Sequence, residues 1–186
     1  MSPGGHLVTT ATACAATAAL TGNITLTAAI GVGGFLIDVD HAVDYVLFER
    51  QRDLRPGVFL RYYLEGRTRH LVLALHSYEL FALLALAAWW TGAVWLWGYL
   101  AGGLMHLALD LLVNGELTPR SIVPFYSFGY RLVHRFDAAA LLGSPETAPA
   151  PNGFWMAFFQ GATLAEPREP AAPALVRSWP PSKPSC

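Results

Sequence analysis

Apolar residues fall in four long blocks along this chain, and the breaks between the blocks are either tight turns or a strongly charged stretch. Residues 7–20 are apolar but rich in Ala and Thr, and Gly22-Asn23 then marks a turn. A second helix is predicted over 24–37, running on to Phe48, and residues 49–69 form a charged connection. The third helix is predicted from about His70 to Trp90, with a short turn at Thr91-Gly92. The fourth spans 93–113 and stops at Asn114-Gly115, a good C-terminal signal. Helices three and four hold roughly 20 residues each, enough to cross about 30 Å of hydrocarbon. The apolar parts of the first two are shorter.

This pattern predicts an all-α fold: a polytopic membrane helical bundle of about four transmembrane helices, arranged up-down-up-down. Composition agrees, because 54% of the 186 residues are hydrophobic and only 13% are charged, whereas a soluble domain carries about a quarter charged residues. The mean hydropathy of +0.38 points the same way. The first positive side chain is Arg50, so the stretch after His6 lacks the basic start of a cleaved leader and is expected to remain as a helix. Net charge of -1 argues against nucleic acid as a partner and leaves the lipid bilayer as the expected one. Two cysteines, Cys14 and Cys186, supply neither a disulfide framework nor a thiolate metal motif.

Charge also orients the bundle. Both tight turns are uncharged, while Arg50, Arg52, Arg55, Arg61, Arg67 and Arg69 lie between helices two and three, and Arg120, Arg131 and Arg135 follow helix four. The positive-inside rule makes that side cytoplasmic, which places the chain in the inner membrane with both termini in the cytoplasm. Residues 126–142 mix aromatic, basic and apolar side chains, as a helix lying on the membrane surface does. The bundle is expected over 1–142. Residues 143–186 form a tail expected to be disordered, since nine of the 13 prolines lie between Pro145 and Pro184. One aromatic island in it, 154–159, could dock on the bundle or at the lipid interface.

The titratable residues then gather at one end. His6 begins helix one; Asp38, Asp40, His41 and Asp44 end helix two; His70, His76 and Glu79 begin helix three; His106 and Asp110 end helix four. In an up-down-up-down bundle these four ends share one side. His106 and Asp110 are spaced i,i+4, as are Asp40 and Asp44, while His76 and Glu79 are i,i+3, so each pair is expected on one helix face. Gly98 and Gly102 continue the His106–Asp110 stripe as a GxxxG, which lets a neighbouring helix approach closely. Imidazole and carboxylate together suit zinc, and also manganese or iron. Ionisable groups in membrane segments are costly and normally serve a function or have partners. The candidate metal ligands are His6, Asp38, Asp40, His41, His76, Glu79, His106 and Asp110. Against this stands a structural reading, in which each His/Asp pair only makes a hydrogen bond that locks helix packing.

On His6 near the start, Asp38-Val39-Asp40-His41 after a Gly-rich apolar helix, His76-Ser77, and His106-x-x-x-Asp110, the chain resembles the membrane-bound metal-dependent hydrolases of the LexA-regulated inner-membrane type. The resemblance covers residues 1–137. More distantly it is similar to zinc-dependent phospholipase C enzymes, whose His, Asp and Glu ligands come from a helical bundle. That family places a basic-Thr-His-Ser cluster before the third helix. Here Arg67-Thr68-Arg69-His70 and His76-Ser77 divide it, so either His70 or His76 is the ligand, and Glu79 on its face favours His76. The resemblance implies a hydrolase of an ester or phosphoester, including a lipid, at the cytoplasmic face. Glu79 would be a ligand or the general base, Asp40 a bridging ligand or an orienting residue, and Arg67, Arg69 or Arg120 would hold a phosphate. The alternative is a non-enzymatic scaffold or ion transporter whose cluster is structural or ion-conducting.

Overall fold

The computed structural model describes residues 1–144 and 146–165. All regular elements among them are helices. Helix α1, Pro3–Thr21, starts where Ser2 accepts from the Gly5 amide at 3.1 Å and Pro3 takes a position that needs no N–H. It ends at Gly22, whose φ of 61° is the left-handed C-cap conformation. Asn23 then caps α2, Ile24–Phe35, through the Leu26 amide. A 3-10 turn, Leu36–Asp38, separates α2 from α3, Val39–Leu47. The expected second helix is therefore present but broken immediately after Gly33-Gly34.

Helix α4, Pro56–Leu64, lies inside the stretch expected to be a plain charged connection. Helix α5, Tyr78–Thr91, starts eight residues later than the pattern predicts, and residues 70–77 are irregular. At 14 residues it is about 21 Å long. Helix α6, Val94–Val113, matches its prediction closely. Short helices follow: α7, Phe128–Val133; α8, Ala138–Leu142; and α9, Phe154–Gln160.

The bundle centres on α2 against α6, with α1 on α2 and α5 on α6. The α2–α6 contact is backbone to backbone. A Cβ placed on Gly98 would lie 2.7 Å from the Leu26 carbonyl oxygen, and one on Gly102 would lie 2.7 Å from the Gly34 nitrogen. The expected GxxxG thus has its counterpart in Gly33-Gly34 of α2. Around it Leu71, Leu73, Phe81, Leu96, Leu100, Leu107, Ile122 and Phe125 form the apolar core.

The aromatic island docks on the bundle instead of lying in a disordered tail. Ala157, Phe154 and Phe158 of α9 pack on Leu60 and Leu64 of α4, and the Phe159 ring covers Gly4 of α1. Residues 166–186, the rest of the proline-rich tail, lie outside the described residues.

Two helices are long and apolar enough to cross a membrane: the broken Ile24–Leu47, and Val94–Val113. Polar groups are buried beside the apolar core, and large apolar side chains lie outside it. His6, Asp40, Asp44, His76, His106, Asp110 and Arg131 are buried, while Leu20, Ile24, Leu83, Leu86, Trp89, Trp90, Leu104 and Leu112 are each at least half exposed.

Candidate metal centre

The break after Gly34 shapes the site. By ending α2 and restarting as α3, the chain sends Asp38 towards α6 and turns the Asp40–Asp44 face of α3 against residues 69–76. Those residues make no helix, so their amides need other acceptors. Three acids of the preceding segment supply them. Glu49 accepts from the amides of Arg69 and His70, Asp44 from those of Val72 and Leu73 at 2.7 and 3.0 Å, and Asp40 from that of Leu75 at 3.0 Å. Leu73 is held at a φ of 42°, a strained backbone for a side chain branched beyond Cβ. The result is an irregular strap whose end presents His76.

His76 meets His106 of α6 there. The His76 ring donates from Nδ1 to Asp40 Oδ2 at 3.0 Å, and His106 donates from Nδ1 to the Gly34 carbonyl at 3.0 Å. Neither acceptor can donate, so both Nδ1 atoms carry the hydrogen, and each neutral ring has its lone pair on Nε2. Yet the two Nε2 atoms stand 3.2 Å apart. Two lone pairs at that distance repel unless a cation, either a metal ion or one shared proton, lies between them. Asp38 Oδ1 is 3.4 Å from each Nε2, and Asp110 Oδ2 is 3.4 Å from that of His106. A tetrahedral ion with bonds of about 2.0–2.1 Å has ligand-to-ligand edges of about 3.3–3.4 Å. Nε2 of His76, Nε2 of His106 and Oδ1 of Asp38 lie 3.2–3.4 Å from one another, close to that spacing, whereas Asp110 groups with His106 and His6.

His6, in the first turns of α1, stacks on the His106 ring at 3.7 Å between centroids and points Nε2 at Asp110 Oδ1, 3.0 Å away. His41 of α3 reaches Asp38 Oδ1 with Nε2 at 3.7 Å, and its carbonyl accepts from the Tyr63 hydroxyl. Three overlapping groups result: His6 with His106 and Asp110; Asp38 with His76 and His106; Asp40 with His41 and His76. These His and Asp groups could hold a metal ion. His76 and His106 are completely enclosed, whereas the Asp38 side chain is 33% exposed. The mouth of the site is therefore at Asp38.

Seven of the eight candidate ligands are thus brought together. Glu79 is not among them, and this corrects the expectation that it acts as ligand or base. Because α5 starts at Tyr78, His76 precedes the helix and shares no face with Glu79. The Glu79 carboxylate instead caps α7, accepting from Ser127 Oγ at 2.6 Å and from the amides of Phe128 and Gly129 at 2.8 and 3.1 Å. A negative charge is stabilised at such a helix start. His70 is half exposed and sits 3.3 Å from Glu49, away from the cluster. Arg67 pairs with Glu65, and Arg120 donates to the Ala140 carbonyl, so neither contacts the cluster here.

Other contributors escaped the sequence reading. The Gly34 carbonyl has no sequence signal at all. Asn114 donates to Asp110 Oδ1 at 2.8 Å and was visible only as a helix stop. Arg131 donates from Nη2 to the His76 carbonyl at 3.1 Å, and burial lowers its pKa, an effect that Asp40, Glu79 and Asp44 oppose. On sequence it looked like one more orienting arginine.

Comparisons of the chain with protein-family models, with curated proteins and with solved structures return no match.

Proposed function

We propose that the protein is a multi-pass inner-membrane hydrolase that uses a divalent metal, most simply zinc, to cleave an ester or phosphoester at the cytoplasmic leaflet. One observation carries the reading: two enclosed imidazoles, each fixed by its Nδ1 hydrogen, aim bare Nε2 atoms at one point that Asp38 also faces. Metal-binding histidines are held in this way by acceptors on their other nitrogen. With both Nδ1 hydrogens committed, the neutral His76–His106 pair offers two acceptors, which a metal ion would bridge. One added proton is the competing bridge, and metal analysis decides between the two.

In this reading His76, His106 and Asp38 are the central ligands, with the adjoining His6–His106–Asp110 and Asp40–His41–His76 groups beside them. Asp40 orients His76 and strengthens its basicity through Oδ2, which His76 and Leu75 share, and its buried Oδ1, without a partner among the described residues, leaves it the bridging role as well. A bound ion would supply Lewis acidity and an activated water. Substrate would enter past Asp38 and His41, the two partly exposed members. Asp38, with its second carboxylate oxygen, would accept the proton released on hydrolysis; the second oxygen of Asp110 already holds His6, Asn114 and the N-terminal ammonium, and Glu79 is committed to α7.

Four crossings, with the cluster at the cytoplasmic face, are supported by the two antiparallel hairpins and by the apolar outer surface. Trp89, Trp90 and Trp95 surround the Gly92 turn at the opposite end and are exposed there, as interfacial aromatics are. Helix α5 would span by local thinning of the bilayer, with the strap 70–77 at the interface.

Elemental analysis of full-length protein purified without chelator tests the metal. Wild type should carry near-stoichiometric metal, His106→Ala and Asp110→Asn should lose most of it, and His134→Ala should keep it. His134 bonds only within its own turn, to the Tyr130 carbonyl, outside the cluster. Wild type that stays metal-free after reconstitution would reduce the cluster to a packing device. Hydrolysis of chromogenic esters and phosphodiesters in the same preparations, lost with the metal, then tests the reaction class.

A further inference from the structure

The largest of the fully buried side chains is a cation that the proposed chemistry does not use. Arg131 on α7 has no exposed surface. Its guanidinium lies between the rings of Phe125 and Phe128, 5.3 and 5.9 Å from their centroids, and Nη2 donates to the His76 carbonyl at 3.1 Å. Nε and Nη1 have no protein partner among the described residues. A buried guanidinium left partly unpartnered is costly. Simple packing would be better served by Met or Leu. Asp40, Glu79 and Asp44 act on its charge; the two aspartates bear on the strap, Asp40 holding the His76 ring and Asp44 the amides of Val72 and Leu73, while Glu79 holds the start of α7 itself.

We propose that Arg131 is a positioning residue for the metal centre, fixing His76 from its backbone side while Asp40 fixes it from the ring side, with Glu79 acting through α7 to hold Arg131 in place. His76 lies in irregular chain, so no helix sets its orientation. Two restraints do so: the Nδ1 bond to Asp40 sets the ring, and the carbonyl bond to Arg131 sets the peptide that carries it. Supporting groups of this kind typically alter metal affinity 10–100-fold. The proposal rests on the cluster being a metal centre.

The test uses Co2+ bound to full-length protein in detergent, read by affinity and by the visible ligand-field bands, which report coordination geometry. Arg131→Met should weaken Co2+ binding about tenfold or more and change the bands. Arg131→Lys, which keeps a charge and a donor, should recover part of both. Glu79→Gln should change both in the same direction as Arg131→Met but less, and it carries the test if Arg131→Met does not fold. A purely structural role would lower thermal stability and leave the spectrum and affinity of the folded protein at wild-type values; that outcome in Arg131→Met, or in Glu79→Gln where only that variant folds, overturns the proposal. Wild type that binds no Co2+ overturns the metal reading as well, which separates the two failures.

Discussion

Two aspartates six residues apart do opposite work here, and substitution should separate them. Asp38 contacts His41, His76 and His106 and caps no helix. Asp38→Asn should therefore cut metal content sharply and leave the thermal stability of the metal-free protein little changed. Asp44 contacts no imidazole nitrogen and accepts two amides of the strap. Asp44→Ala should lower stability by about 3 kcal/mol, because two buried donors lose a charged acceptor, while the ligand atoms stay in place. Glu49 adds a pH dependence. Burial alone would raise its pKa, but the Tyr62 hydroxyl and the amides of His70 and Arg69 hold it below the ordinary 4.5. A depressed carboxylate stabilises the fold above the ordinary value, and that contribution is lost as pH falls through the lower folded value. Wild type should thus exceed Glu49→Gln in stability above pH 4.5 and lose that advantage in more acidic buffer, as thermal melts across pH would show.

At the scale of elements, the contact of α2 with α6 sets the positions of everything else. His106 reaches the Gly34 carbonyl only because the glycines let the two backbones touch. Gly102→Ala should lower stability by about 1–3 kcal/mol or more by forcing them apart. Gly57→Ala is the control: it lies in α4 with nothing within 4 Å of an added Cβ and should be neutral or slightly stabilising. Chemical or thermal denaturation of the two variants decides this. The i+4 stripe of Gly98, Gly102, His106 and Asp110 was readable because helical period alone places those residues on one face. The late start of α5 was not. Residues 70–77 are as apolar as a helix, and what keeps them irregular is a set of acids 21 to 35 residues away that accept their amides.

For the whole molecule, the two uncharged turns should lie on the outer side of the membrane. Reporter fusions at Asn23 and Gly92 should read as external, and a cytoplasmic reading at either would undo the common side of the four ends. The docking of α9 changes what truncation should do. Removing everything after residue 145 strips Phe154, Ala157 and Phe158 from Leu60 and Leu64 and uncovers Gly4 beside His6. Its melting temperature should fall by several degrees, with bound metal measured alongside; an unchanged melt would mean that α9 contributes nothing to the fold.

By itself the sequence determined an all-helical chain, the hairpin turns at Gly22 and Gly92, the close-packing stripe of α6, and the gathering of histidines and aspartates at one end. All of these follow from local composition and a fixed period. Tertiary structure alone decided which of the gathered groups face one another. The break at Leu36–Asp38 rotates Asp38 away from Asp40 and Asp44. The strap chooses His76 over His70, and the start of α7 claims Glu79. The reason is physical: a carboxylate goes to the nearest unmet donor, and whether that donor is an imidazole or a backbone amide depends on chain far away in sequence.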